Sequence, residues 1–233
     1  MSKLLTFTFL MWQLISIGQI VTLSEDELLG KIDPAADTSF TQIAAQYTSK
    51  NNIYLRKEAY DAFVRMEEEA AKAGIQLNII SATRNFDYQK GIWERKWQRS
   101  KYMGWQEVEK VKDIMQYSSM PGTSRHHWGT DIDLNSLNNT YFESGKGAND
   151  YNWLKANAER FGYYQVYAKK DSGRTGYSDE KWHWSYMPLA SQFLEQYNQL
   201  VTNESIQGFS GSDAAIKIDA VKTYVNGIYK GNE

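Results

Sequence analysis

Apolar and polar positions along the chain fall into two periods. Over residues 55–73, Ala59, Phe63, Met66 and Ala70 recur at steps of three and four. That stripe predicts a helix, and Gly74 ends it. Residues 76–81, 130–134 and 181–187 instead alternate in type, as half-buried strands do, and 163–167 reads as a further strand. Ser24-Glu25-Asp26-Glu27 has capping-box spacing before Leu28 and Leu29, so a short helix is expected there, ended by Asp33-Pro34. Residues 86–105, rich in tryptophan and charge, read as another helix. Asp150 is placed to cap a helix running to Phe161 and closed by Gly162. Pro188 sits at a first-turn position for a helix reaching about Val201. Residues 118–124 and 171–179 are loops by composition. A Gly/Ser-rich break at 208–212 precedes a last helix over 216–228, taken as the packing helix of a C-terminal extension, 205–233. No repeat or linker interrupts the pattern, and helices and strands do not alternate regularly. The expectation is an α+β single domain, a small antiparallel sheet flanked by helices.

The first 23 residues break from this pattern. After Lys3, residues 4–23 carry no charge, with small residues at Ser16 and Gly18. This predicts a secretory signal peptide over 1–23, cleaved near Gly18–Gln19, with 24–233 forming an exported, periplasmic or cell-envelope domain. An uncleaved anchor is the alternative, because about 20 uncharged residues just span a bilayer. Thr6, Thr8, Gln13, Ser16, Gln19 and Thr22 dilute the apolarity and favour cleavage. Membrane attachment is expected only if the segment is retained.

Composition then narrows the chemistry. The 233 residues hold 26 basic and 28 acidic side chains, for a net charge of −2. That balance makes no electrostatic case for nucleic acid. The chain has no cysteine, which excludes disulfides, thiolate catalysis, cysteine-ligated zinc and lipid attachment through an N-terminal cysteine. It has three histidines, so imidazole chemistry must use His126, His127 or His183. A monomer is expected.

All three histidines fall in two short motifs, S-R-H-H-W-G-T-D-I-D at 124–133 and E-K-W-H at 180–183. A third motif, S-A-T-R-N-F-D-Y-Q, spans 81–89. Catalytic zinc takes three ligands from His, Asp and Glu and leaves a position for water. His126 precedes one predicted strand, Asp133 lies on it, and His183 lies on another, so a sheet can bring them together. Glu180, three residues before His183, would then lie at the strand's edge, close to the water, where a carboxylate can take a proton and return it to the leaving amine. Gly129 permits a tight passage from loop to strand. Singly, each residue has a plainer reading: a packing histidine, a turn-capping acid, core aromatics at Trp182 and Trp184. Together, chance would have to set every histidine beside carboxylates and glycine.

These motifs resemble the zinc D-alanyl-D-alanine carboxypeptidases of the VanY type, within the LAS group of peptidoglycan metallopeptidases. The resemblance rests on Ser-x-His-x-x-Gly with an Asp seven residues after the His, on Glu-x-Trp-His, and on Ser81, Arg84 and Gln89 upstream. It implies Zn²⁺ held by His126, Asp133 and His183, with Glu180 as base to a zinc-bound water. It implies Arg84 as the group that polarises the scissile carbonyl, and Ser124, Gln89 and Ser81 as substrate-binding groups. Peptidoglycan stem peptides are the implied substrate and the terminal D-alanine the residue removed. An L,D- or D,D-endopeptidase on the same fold is the runner-up, and a non-catalytic zinc-containing binding domain is a third reading. Family members commonly carry a small residue where this chain has Asp131. Alternation puts Asp131 on the face of Asp133, where it could orient a ligand histidine or weaken binding of an anionic substrate. Trp182 is expected to support the site from behind, and His127 to be a neighbour of the metal rather than a ligand. Ser178-x-x-Lys181 and Ser136-x-Asn138 mimic serine-peptidase motifs, but in reversed order and without K-T-G. H-E-x-x-H is absent, which excludes a thermolysin-like site.

Overall fold

The computed structural model describes residues 21–229. The expected export signal lies mostly outside these residues. Its last three positions, Val21 to Leu23, are part of the packed body. Leu23 is buried, and Gln196 hydrogen-bonds the backbone of both Val21 and Leu23.

The helices are α1 (Glu25–Leu28), α2 (Lys57–Lys72), α3 (Phe86–Trp97), α4 (Glu107–Ile114), α5 (Gly145–Asn157), α6 (Met187–Leu200) and α7 (Ala214–Lys217). Strands β1 (Phe40–Gln42) and β2 (Tyr54–Arg56) form a two-stranded antiparallel sheet. Strands β3 (Ile79–Ser81), β4 (Asp131–Leu134), β5 (Tyr163–Tyr164) and β6 (His183–Tyr186) form a second, in the order β3-β4-β6-β5, with every pairing antiparallel. The expected architecture is therefore found: one α+β body with a small antiparallel sheet flanked by helices.

Alternation divides the four-stranded sheet. Ile132, Leu134, Tyr163 and Trp184 join the buried stripe of α2 (Ala59, Ala62, Phe63, Met66, Ala70) and Leu154 of α5 in one core. Each large side chain sealed there contributes about 2–3 kcal/mol. Asp131, Asp133, His183 and Ser185 project from the other face, as a period of two requires. A second core gathers α1, α3, α4, α6 and the C-terminal segment around Trp93, Trp128 and Phe193.

Several boundaries depart from the sequence reading. Residues 55 and 56 belong to β2, so α2 begins at Lys57. Helix α3 stops at Trp97, followed by a 3-10 turn at Ser100–Tyr102, instead of continuing to 105. Asp150 does not cap a helix. It lies buried within α5, accepting bonds from Asn135, Tyr141 and Lys146. The strand at 163–167 is only Tyr163–Tyr164. The last helix is α7 and a separate turn at Val221–Val225, divided by Asp219 in the left-handed region (φ 48°). The first sheet and α4 were not expected.

Candidate metal and active site

The pairing of β4 with β6 builds the site. Asp133 faces His183 across the ladder, and Asp131 faces Ser185. Directly opposed side chains on one face are near neighbours, so register alone brings Asp133 to His183. His183 Nδ1 lies 3.0 Å from Asp133 Oδ1. His126 arrives from a 3-10 turn, Arg125–Trp128, that leads into β4 through Gly129. Gly129 has φ 70°, and a Cβ there would stand 2.3 Å from the Phe40 ring, so no other residue fits. His126 Nε2 is 3.4 Å from Asp133 Oδ1.

Hydrogen bonding fixes the imidazoles. His126 Nδ1 donates to the Ala82 carbonyl at 2.7 Å, leaving Nε2 as a lone pair toward Asp133. His183 Nε2 donates to Asp131 Oδ2 at 2.9 Å, leaving Nδ1 toward Asp133. One atom from each of His126, Asp133 and His183 lies within 4.8 Å of the others, all buried. A tetrahedral ion with bonds near 2.0–2.1 Å has ligand edges of about 3.3–3.4 Å. The 3.4 and 3.0 Å separations of the two imidazoles from Asp133 Oδ1 are close to that edge. The donor set, two imidazole nitrogens and one carboxylate oxygen, therefore fits zinc.

Without a metal, a proton does the bridging. Burial alone would push His183 down, but hydrogen bonds and charge from Asp131 and Asp133 outweigh it, raising the pKa to about 9. Burial likewise opposes ionisation of Asp133, yet the two imidazoles hold it well below the usual carboxylate range. His126 is pushed down by burial and by Arg84.

The adjacent histidines turn opposite ways. His127 Nδ1 donates to the Arg84 carbonyl at 2.6 Å, and its Nε2 accepts from Gly122 N–H at 3.0 Å. Burial takes its pKa to about 3, so it stays neutral and clamps the backbone of Arg84. His127 is thus a neighbour of the site, as expected, with a task of its own.

A cavity of about 470 Å³ opens over the cluster and is lined by His126, Asp133, His183, Glu180, Arg84 and Ser124, among others. Burial pushes the Glu180 carboxyl up to about 8, only partly relieved by His183. Its backbone is held where its N–H meets the Tyr167 carbonyl at 2.9 Å. Arg174 staples the preceding loop, donating to the carbonyls of Ala168, Thr175, Tyr177 and Ser178. The Tyr167 ring stacks on His183 at 4.5 Å between centroids.

Of the expected substrate groups, Ser124 lines the cavity with its buried Oγ unpartnered among the described residues. Ser81 does not line it. It accepts from Arg84 Nη1 at 3.4 Å and so steadies the guanidinium, which lies 3.9 Å from Asp133. Gln89 is sealed behind, its Nε2 donating to the Ser119 carbonyl at 2.7 Å. Trp182, expected behind the site, lines the cavity wall and leans on Tyr117.

Asp131 orients His183 and does not reach the cavity. It is wholly buried and paired with Arg125 at 3.1 Å, so it cannot repel an anionic substrate directly. Thr130 and Ser185 hydroxyls bond its other oxygen at 2.7 and 2.8 Å. Burial favours its neutral form, but Arg125 and His183 prevail and keep it ionised far below the usual range. Sequence reasoning missed Arg125, Ser185, Tyr167 and Arg174. For Arg125 a signal existed: a buried carboxylate beside a ligand needs a cation, and Arg125 stands in the same motif.

Comparison with known proteins agrees with this geometry. The family described as VanY: D-alanyl-D-alanine carboxypeptidase matches residues 52–189, which hold every residue of the cluster. The YodJ protein of Bacillus subtilis (strain 168), a putative carboxypeptidase by its name, is 31% identical over 153 residues, 65% of this chain and 53% of that one. The chain spans about half the length of the curated relatives it matches. Among solved structures, VanYB in complex with D-alanine-D-alanine aligns at a TM-score of 0.54 and 22% identity, covering 72% of this chain and 88% of that one. A mutant of the vancomycin resistance D,D-pentapeptidase VanY from the VanB-type resistance cassette, solved with Zn(II), aligns at 0.51 and 23%, covering 72% and 94%. At those identities the two structures speak for the fold. The family match covers more than half of the chain, so the chain belongs to the VanY D-alanyl-D-alanine carboxypeptidase family.

Proposed function

We propose that this protein is an exported zinc carboxypeptidase that removes the terminal D-alanine from peptidoglycan stem peptides. One observation carries the reading: ring nitrogens of His126 and His183 converge with a carboxylate oxygen of Asp133 in a cavity that also holds Glu180 and Arg84. Family membership supports the reaction class, and the relative solved with Zn(II) supports the metal. The uncharged run at residues 4–23 supports export.

When bound, zinc lowers the pKa of a coordinated water and acts as a Lewis acid toward the carbonyl. Glu180 takes the proton of the attacking water and delivers it to the departing amine. Its raised pKa suits that shuttle. Arg84 donates to the oxygen on which negative charge develops. Its Nε has no partner among the described residues. Ser124 Oγ offers a further polar contact to the peptide.

The test is Glu180→Gln. The variant is expected to retain zinc in full and to lose release of D-alanine by at least about 10²-fold. Full activity in a zinc-loaded variant would remove Glu180 from the mechanism.

A further inference from the structure

Lys96 lies on α3, one turn beyond Ile92, and both line the cavity that holds Glu180 and Arg84. Lys96 is half-buried, with no hydrogen-bonded or ion-paired partner among the described residues. Burial and the positive charges of Arg99 and Arg84 lower its pKa, while Glu180 supports its charge. A partly desolvated ammonium beside other cations is costly to keep, and an anion in the cavity would relieve that cost. Ile92 adds an apolar contact next to it. An ammonium one helical turn from an aliphatic side chain is complementary to an alanine residue that ends in a free carboxylate.

We propose that Lys96 is a specificity-determining residue that receives the terminal carboxylate of the peptide, and so makes this site one for chain ends. The inference rests on the carboxypeptidase reading and deepens it. Arg84 serves the carbonyl beside the metal, whereas Lys96 serves the far end of the leaving residue. An interior peptide bond has no carboxylate at that point and leaves Lys96 unpaired.

The experiment compares zinc-loaded wild type, Lys96→Met and Lys96→Arg on an acylated D-Ala-D-Ala peptide and on its C-terminal amide, measuring kcat and KM across pH. Binding of the free-acid peptide is measured separately by calorimetry in a Glu180→Gln background, where turnover is not needed. Lys96→Met should raise KM for the free acid by roughly 10–100-fold, the range of a charge-assisted hydrogen bond, with kcat falling much less. Wild type should disfavour the amide by a similar factor, Lys96→Met should lose that preference, and Lys96→Arg should keep most of it. If Lys96→Met still prefers the free acid as wild type does, the assignment is overturned. The same holds if the variant only shifts the acid limb of kcat, which would mean that Lys96 tunes Glu180. If wild type hydrolyses neither peptide but the Glu180→Gln protein binds the free acid through Lys96, the carboxylate site stands and the carboxypeptidase reading falls. If that protein binds the free acid equally well with and without Lys96, or not at all, the carboxylate site falls whatever the activity.

Discussion

Single side chains of one cavity do opposite electrostatic jobs here. Asp133 is kept ionised by two imidazoles, whereas Glu180, in the same cavity, is pushed up to about 8 by burial. The difference follows from their neighbours, and it suits the proposed ligand role of the one and the proposed proton-carrier role of the other. It also predicts a stability effect in zinc-free protein. Between the ordinary glutamate pKa of 4.5 and 8, the folded state holds a proton on Glu180 that the unfolded state has released. Stability therefore declines as pH rises through that window. Glu180→Gln removes the penalty, on the order of a few kcal/mol at most. In chelator, the melting temperature of the variant should exceed that of wild type at pH 8, with the gain vanishing near pH 4.5. A gain that grew toward acid would show that burial does not penalise the Glu180 carboxylate.

At the scale of elements, the β4–β6 register is the decisive feature. It sets Asp133 opposite His183 and Ser185 opposite Asp131, so a second carboxylate stands behind the ligand histidine. Asp131→Asn keeps the shape but weakens the acceptor that holds His183 in its metal-binding tautomer. Zinc affinity, measured by competition with a chromophoric chelator, should fall about 10–100-fold. An unchanged affinity would make the Arg125–Asp131 pair a packing device only. The pattern of the chain revealed β4, β6 and α2 because each buries one face against a core and so repeats cleanly. It did not reveal β1 and β2, whose three residues each are too few for alternation to register. Helix α4 does carry a signal, Val108, Val111 and Met115 at steps of three and four, but one confined to two turns. The last predicted helix failed because Asp219 adopts a left-handed backbone, which breaks the α-helical path that the apolar spacing suggested. The candidate metal ligands and Glu180 stand in the motifs, and the structure brings them to one cavity. The residues that hold them could not be read there, because Arg174 acts on backbone carbonyls and Tyr167 acts through stacking, and neither leaves a spacing in the sequence.

For the molecule as a whole, the described part of the C-terminal segment packs closely against the rest of the body. Ile206, Phe209 and Ile218 complete the second core, and Trp93 and Glu94 of α3 bind the backbone of Ser210. Tyr224 meets Tyr177 edge-on, Tyr177 meets Tyr167, and Tyr167 stacks on His183, so this segment braces the cavity wall. Among the described residues no helix is long and apolar enough to cross a membrane. The most direct test of the whole account is mass spectrometry of peptidoglycan fragments digested with the zinc-loaded protein, with and without chelator. Pentapeptide stems should lose the mass of a single alanine, and only while zinc is present. Split stems or opened cross-links, or the same alanine loss after zinc is removed, would contradict it.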